Sequence, residues 1–327
     1  MENGINTSIV SNVLGSASAG ILARVATHPL DTAKARLQSL NGVSYKGPVD
    51  VLRSTFRYEG VRGLYRGFGT VIIGGTPGTI IYLCSYDIFK DKISSSAFNK
   101  NNEENFVVHF MAGILAETVA CLIYVPVDVI KERLQTQYKT DTIKYNGGWD
   151  ALVKISKTEG LSGIYKGYGA TLASYGPFSA FYFVFYEQFK SWSKNYIQQK
   201  EEKNNDSTIS TAADNTMTAT TTTLPLSYTI LCSASAGAIA SFLTSPLDMV
   251  KLRLQVQRGA AHQLSSMNTN TPSYRGMSDA LAYAWRTGGI AGLFKGAGAR
   301  VLHFVPLTTV TMTSYEACRI FFHQKLL

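Results

Sequence analysis

The sequence predicts an all-α membrane protein built from three copies of one unit; two observations establish the copies, and what the copies resemble implies the rest. The first is a phrase written three times. It reads Pro29-Leu30-Asp31-Thr32-Ala33-Lys34-Ala35-Arg36-Leu37-Gln38. It returns as Pro126-Val127-Asp128-Val129-Ile130-Lys131-Glu132-Arg133-Leu134-Gln135 and as Pro246-Leu247-Asp248-Met249-Val250-Lys251-Leu252-Arg253-Leu254-Gln255. Proline, an acid two residues on, lysine three after that and glutamine four after that hold in every copy, which marks an internal repeat. The second observation is that two further phrases keep step with the first. Glu59-Gly60 precedes Tyr65-Arg66-Gly67, Glu159-Gly160 precedes Tyr165-Lys166-Gly167, and a degraded copy has Gly288-Gly289 before Phe294-Lys295-Gly296. Tyr86-Asp87 with Lys90, Tyr186-Glu187 with Lys190 and Tyr315-Glu316 with Arg319 form the last phrase. Tyr65 to Tyr86, Tyr165 to Tyr186 and Phe294 to Tyr315 each span 21 positions; Tyr45 to Glu59, Tyr145 to Glu159 and Tyr274 to Gly288 each span 14. Insertions are therefore confined to a few joints.

Taken in order, Val10 to His28 is a first span whose small residues (Gly15, Ser16, Ala17, Ser18, Ala19, Gly20) allow close helix approach in lipid. Pro29 kinks it, and residues 31–38 continue the helix with Asp31, Lys34 and Gln38. A short amphipathic helix is expected over 47–58, then a second span over 69–90 containing Pro77. The second repeat places spans at 107–137 and 168–190, the third at 228–257 and 297–319. The repeats occupy 8–98, 104–198 and 226–325. The insert between the last two, 199–225 within a polar stretch 191–226, is rich in Lys, Glu, Asn and Thr and reads as a disordered loop. A shorter polar insert covers 258–273.

Bulk composition bounds the class. Only 16% of the 327 residues are charged and the mean hydropathy is +0.02. That suits helices facing lipid on one side and a wet cavity on the other. No clean run of 18 uncharged apolar residues decides the matter alone, so hydropathy is weaker evidence than the repeat. The net charge of +9 reads first as basic loops beside an anionic membrane surface, and second as a field for an anionic solute. Cys84, Cys121, Cys232 and Cys318 are scattered without a C-x-x-C, so neither a zinc site nor a disulfide framework is expected. Met1 to Asn12 reads as neither secretory signal nor transit peptide. No nucleophile–base pair or metal-ligand spacing suggests an enzyme, and no nucleic-acid partner is expected.

Three copies of P-x-[DE]-x-x-[KR], each followed by [FY]-[DE]-x-x-[RK], resemble the mitochondrial carrier family over residues 10–325, nearly the whole chain. The resemblance implies six tilted transmembrane helices in three pseudo-threefold repeats, each with a short matrix-side helix. It implies a multi-pass inner-membrane carrier of small solutes that works as a monomer. The second repeat is similar to the S-adenosylmethionine carrier branch through Ala116-Glu117, Ala120-Cys121-Leu122-Ile123, Val125-Pro126 and Pro177-Phe178-Ser179. It departs from that branch where Arg24 replaces an acid and Ser174-Tyr175 replaces an Arg-Glu pair. Mitoferrin-like metal carriers share the Gly-rich second span and Arg300, but their Met and Asn contacts are absent at Ser174-Tyr175.

Within one copy Asp and Lys are three apart, so an i,i+3 pair is one arrangement. The threefold repeat allows another: Asp31, Asp128 and Asp248 each pair with the Lys of the next repeat (Lys34, Lys131, Lys251), closing a matrix-side ring. The resemblance makes Gln38, Gln135 and Gln255 its braces. It makes Asp87, Glu187 and Glu316 with Lys90, Lys190 and Arg319 the cytoplasmic ring, braced by Tyr86, Tyr186 and Tyr315. Two rings that cannot both close around an open path form an alternating gate. An exposed pair is worth about 0–1 kcal/mol, while inverting a 1:99 population needs roughly 5.5 kcal/mol of differential affinity, which several solute contacts in one state could supply. Arg66-Gly67, Lys166-Gly167 and Lys295-Gly296, with Gly47, Gly147 and Gly276 at the partner turns, resemble the family's lipid-phosphate sites and imply bound cardiolipin. A glycine before a helix start exposes N–H groups that suit phosphate.

A solute lacks threefold symmetry, so specificity belongs where the copies differ. Five positions before each proline stand Arg24, Cys121 and Ser241; nine before stand Gly20, Glu117 and Gly237. Seven residues, or eleven, return to within about 20° of the same helix face, so Arg24 shares the face of Asp31 and Glu117 that of Asp128. Lone charges on that face default to function, here the two ends of a zwitterion; a mutual Arg24–Glu117 pair is the structural alternative. By the resemblance, solute contacts on the even helices fall at Gly74, at Ser174 and Tyr175, and at His303, with Arg300 one turn before. The expected activity is exchange of an amino-acid-like or nucleoside-containing zwitterion such as S-adenosylmethionine. A metal-ion carrier and a non-transporting adaptor that keeps the fold are the alternatives.

Overall fold

The structure, a computed structural model, describes residues 2–39, 45–95, 106–138, 144–206, 224–257 and 273–326. Its described residues form helices and no strand. In chain order these are α1 (Glu2–Gln38), α2 (Pro48–Leu64), α3 (Phe68–Ser95), α4 (Phe106–Gln135), α5 (Gly148–Ile164), α6 (Tyr168–Asp206), α7 (Leu226–Leu243), α8 (Ser245–Val256), α9 (Met277–Leu293) and α10 (Ala297–Leu326). Each repeat thus reads long, short, long. Pro29 and Pro126 lie inside continuous helices, whereas the third odd helix ends at Leu243 and restarts at Ser245 with Pro246 in its first turn, where a missing N–H costs nothing.

The short helices α2, α5 and α9 run past the expected end near residue 58 and turn at a glycine. Gly60, Gly160 and Gly289 have φ of 69°, 67° and 55°, a region other residues enter only at a cost. That shared turn explains the glycine kept in all three copies even where its preceding acid is lost.

One expectation needs correction. α6 continues to Asp206, so residues 191–206 are helix rather than loop. Lys, Glu and Gln are good helix formers; a composition that offers no apolar core does not forbid a helix. The rest of that insert, 207–223, and 258–272 of the second insert lie outside the described residues.

Among the described residues, Phe68–Ser94 of α3, Val108–Gln135 of α4 and α7 are long and apolar enough to cross a membrane by length and composition. α10 is more polar, but Thr308, Thr309, Thr311 and Thr313 return their hydroxyls to carbonyls four residues back at 2.7–3.0 Å, which hides their donors within the helix. Large apolar side chains point outward: Ile73 is 78% and Leu161 75% exposed, the inverse of a water-soluble surface and what lipid contact requires.

The chain divides into two compact units. One holds residues 1–23, 179–241 and 304–327. Within it Gly237 lies against the Phe304 ring, where a side chain would collide, and Tyr182 and Ser233 hydroxyls meet at 2.8 Å. The larger unit holds 24–178 and 242–303, with all three short helices and all three Pro phrases. Each short helix buries its apolar side on the odd helix of its own repeat. Val51 packs with Ala33 and Leu37, Ile155 with Val129, Ile130 and Leu134, and Ala280 and Ala284 with Met249, Val250 and Leu254.

Candidate functional site

In the larger unit the three acids and three lysines pair between repeats. Lys131 Nζ lies 2.6 Å from Asp31 Oδ2, Lys251 Nζ 2.7 Å from Asp128 Oδ2, and Lys34 Nζ 2.8 Å from Asp248 Oδ2. The i,i+3 arrangement within one copy is not the one formed. The same cyclic order recurs one turn on. Arg36, Arg133 and Arg253 donate from Nε to the carbonyls of Gln135, Gln255 and Gln38 at 3.0, 3.1 and 3.3 Å. Gly67 passes the backbone of Lys131, Gly167 the side chain of Gln255 and Gly296 that of Gln38, close enough that a Cβ would crowd each. Their φ of 77°, 83° and 83° adds a backbone reason for glycine.

The braces are unequal. Gln135 Nε2 donates to Asp31 Oδ2 at 3.1 Å. The side-chain amide of Gln38 and the Nε2 of Gln255 have no hydrogen-bond partner among the described residues. These two side chains pack on Gly296 and Gly167 instead, and Arg300 Nε takes Asp248 at 3.5 Å. Glu132 adds a fourth acid, 3.3 Å from Lys131.

Arginine–glutamate pairs, whose residues the repeats display without announcing the contact, lock the short helices. Arg36 reaches Glu59 at 2.8 and 3.0 Å and Arg133 reaches Glu159 at 2.6 and 2.9 Å. The signal was an arginine two residues after each Lys together with the Glu-Gly phrase. His28, beside Pro29, is a structural residue: its Nε2 donates to the Arg66 carbonyl at 3.0 Å, and its ring packs on Tyr65 and Phe68.

The symmetry-breaking residues separate into two groups. Arg24 is half-buried, its guanidinium beside Gly75, and makes no hydrogen bond or ion pair among the described residues. Among the described residues Glu117 accepts only a long bond of 3.6 Å from the Cys121 thiol. The two do not pair with each other. His303 and Arg300 belong with the acid ring: His303 Nε2 stands 3.9 Å from Asp31 and Arg300 also lies over the Phe178 ring. Gly74 faces the Val127 side chain, where any Cβ would collide, so it is a helix contact and not an open wall. Ser174 Oγ is buried and donates to its own helix at Ala170, 2.7 Å. The Tyr175 and Tyr82 hydroxyls are 2.9 Å apart, both 3.9 Å from a Cβ built on Gly113.

At the other phrase, Glu187 pairs with Lys190 of its own helix at 3.2 Å, and Lys190 also covers the Tyr186 ring. Asp87 and Lys90 make no ion pair among the described residues. Tyr86 does not brace an ion pair; its hydroxyl meets His109 Nδ1 at 2.7 Å. Tyr315 is half-buried, and the side chains of Glu316 and Arg319 lie outside the described ones. Among the residues expected at lipid, Arg66 bonds the Gln137 carbonyl at 2.9 Å and Glu59 at 3.1 Å. Lys166 is pushed below its ordinary pKa by burial, and Lys295 is exposed. A cavity of about 800 Å³ opens beside Arg66, Gly67, Thr70, Tyr145, Gly147 and Trp149. Gly47, Gly147 and Gly276 precede α2, α5 and α9 in extended backbone.

A family model described as mitochondrial carrier protein matches residues 6–97, 102–196 and 222–326. The chain is 32% identical over 329 residues to mitochondrial substrate carrier family protein E of Dictyostelium discoideum, spanning 98% of this chain and 99% of that one. It is 32% identical over 286 residues to an S-adenosylmethionine mitochondrial carrier protein homolog of Drosophila melanogaster, covering 87% and 83%. It is 28% identical over 322 residues to mitoferrin-1 of Danio rerio, covering 98% and 87%. The chain belongs to the mitochondrial carrier family. It is a transporter of the mitochondrial inner membrane.

Proposed function

We propose that this carrier exchanges a zwitterionic metabolite, amino-acid-like or nucleoside-containing and of the S-adenosylmethionine kind, by alternating access. The observation that carries the reading is that neither Arg24 nor Glu117 has an ionic partner among the described residues. Two opposite charges on the pore faces of different repeats, neither neutralised by the other, are suited to the carboxylate and the ammonium of one solute. Charges held apart without partners are costly in a membrane protein unless water or a ligand reaches them. The similarity to an S-adenosylmethionine carrier homolog supports the same solute class. Gly74, Ser174 and Tyr175 have protein partners in this state and are secondary candidates at most.

The Asp–Lys ring acts as the matrix gate, here closed, with Gln135 as its brace. His303 and Arg300, set against its acids, act as part of that gate more than as solute contacts. The Tyr-acid-Lys phrases supply the cytoplasmic gate. The cavity beside Arg66 and Gly147 is the proposed cardiolipin site, its phosphate placed at the N-terminal ends of α3 and α5; three repeats in one chain let the carrier work as a monomer. Proteoliposomes preloaded with S-adenosylmethionine should take up labelled S-adenosylmethionine faster than empty ones, and Glu117→Ala should remove the difference. Uptake of divalent metal instead, blocked by Glu117→Ala, would favour the metal-carrier reading, toward which the adjacent Glu117 carboxylate and Cys121 thiol point. Cardiolipin added to delipidated protein should raise its melting temperature, and light scattering should give the mass of one chain.

A further inference from the structure

Two of the three repeats tie the odd helix to the short helix that follows it with one device, and the third keeps only half of it. In the first two, a guanidinium with 1% of its side chain exposed grips a glutamate through two short bonds. The third guanidinium, Arg253, stands at the same place after its proline and is only 6% exposed. Its Nε bonds the Gln38 carbonyl as its counterparts bond theirs. But the residue aligned with Glu59 and Glu159 is Gly288.

The slot for that carboxylate is still there. The following glycine makes the same left-handed turn in each repeat, and α9 closes at Phe294 as α2 closes at Tyr65 and α5 at Tyr165. A Cβ at Gly288 meets no described atom within 4 Å, and Gly288 itself is exposed, so nothing described fills the place of the lost side chain. The buried Tyr274 hydroxyl is the polar neighbour of Arg253, and among the described residues its oxygen closes no well-aligned hydrogen bond. A nearly sealed guanidinium without a counter-charge among the described residues is an unfavourable arrangement.

Glycine differs from glutamate by a propionate-sized group, so the shape of the ligand follows from the repeat. We propose that Arg253, Tyr274 and the space left by Gly288 bind a small monocarboxylate of acetate or propionate size, which completes the third clamp. Arg253 is two residues from Lys251, which pairs with Asp128. Occupancy therefore stiffens α8 at the turn that carries part of the Asp–Lys ring.

Thermal unfolding of the purified full-length carrier, with sodium propionate titrated against sodium chloride at constant pH and ionic strength, tests this. Wild type should show a saturable rise in Tm of a few degrees. Gly288→Glu, which tethers the carboxylate, should raise Tm without propionate and abolish the propionate response. Glu159→Gly should lower Tm and enlarge the response by creating a second vacant slot; should it not fold, the Gly288→Glu comparison decides. Coincident propionate and chloride curves in wild type, or an equal response in Gly288→Glu, would overturn the assignment.

Discussion

Helical phase puts Arg24 on the face of Asp31 and Glu117 on that of Asp128, because seven and eleven residues both return to one side of a helix. What helical phase could not reveal was whether they meet, since that depends on the separation of two helices. They do not pair, so each truncation should act through the solute. Arg24→Ala or Glu117→Ala should weaken binding about ten- to a hundredfold, the worth of a charge-assisted contact of about 1.5–3 kcal/mol. Melting temperature without solute should change little, and the two changes should add to within about 0.5 kcal/mol. Relief of one by the other in a thermal-shift cycle would restore the structural pair. A second residue-scale contrast lies in the braces. Gln135 bonds Asp31, whereas the Gln38 amide has no partner among the described residues. Gln135→Leu should therefore lower Tm, and Gln38→Leu should be neutral or stabilising, because replacing an unpaired buried amide removes a desolvation cost. Equal losses would contradict the inequality of the braces.

At the scale of elements, what holds a short helix to its odd helix is an apolar face plus one buried ion pair. Removing one partner strands the other. Glu159→Gln should cost about 3–5 kcal/mol by leaving Arg133 buried without a counter-charge, seen as a large fall in Tm. Arg133→Leu with Glu159→Leu should be far milder, because an apolar pair of similar volume carries no desolvation penalty. A double change as damaging as the single one would show that the pair itself, and not the stranded charge, supplies the stability. The extension of α6 to Asp206 belongs to this scale too. Its polar composition was informative about burial and silent about helicity, because Lys, Glu and Gln form helices without needing a core.

For the whole molecule, the Asp–Lys ring links repeats far apart in sequence: Asp128 and Lys251 meet at 2.7 Å across 123 positions. Asp128→Asn should abolish or uncouple exchange in proteoliposomes. Asp128→Lys with Lys251→Asp should recover part of it, since the swap restores the charges at the same separation. Normal transport by every single ring variant would remove the gate from the mechanism. Deleting 207–223, a Thr-rich stretch with little apolar side chain to bury, should leave both Tm and exchange rate unchanged. A fall in Tm would show that it packs.

The repeat determined the membership of the Asp–Lys ring, and the family resemblance that the repeat carries determined the architecture. Three copies at fixed internal spacing impose a cyclic order, and in a cyclic order each acid has the next lysine as its natural partner. Membrane residence was legible in the same repeat more than in hydropathy, since only some of the long helices are apolar throughout. Tertiary structure alone decided the finer assignments. Val127 fills the space before Gly74, His109 captures Tyr86, and Arg300 and His303 lie against the acids of the ring. Each of these depends on the distance and rotation between helices that the sequence joins only through turns and kinks. A difference of one side chain's length decides whether a residue lines the path or packs against a neighbour. The lost acid at Gly288 combines the two levels: the repeat exposes the omission, and only the packed helices show that Arg253 remains buried behind it.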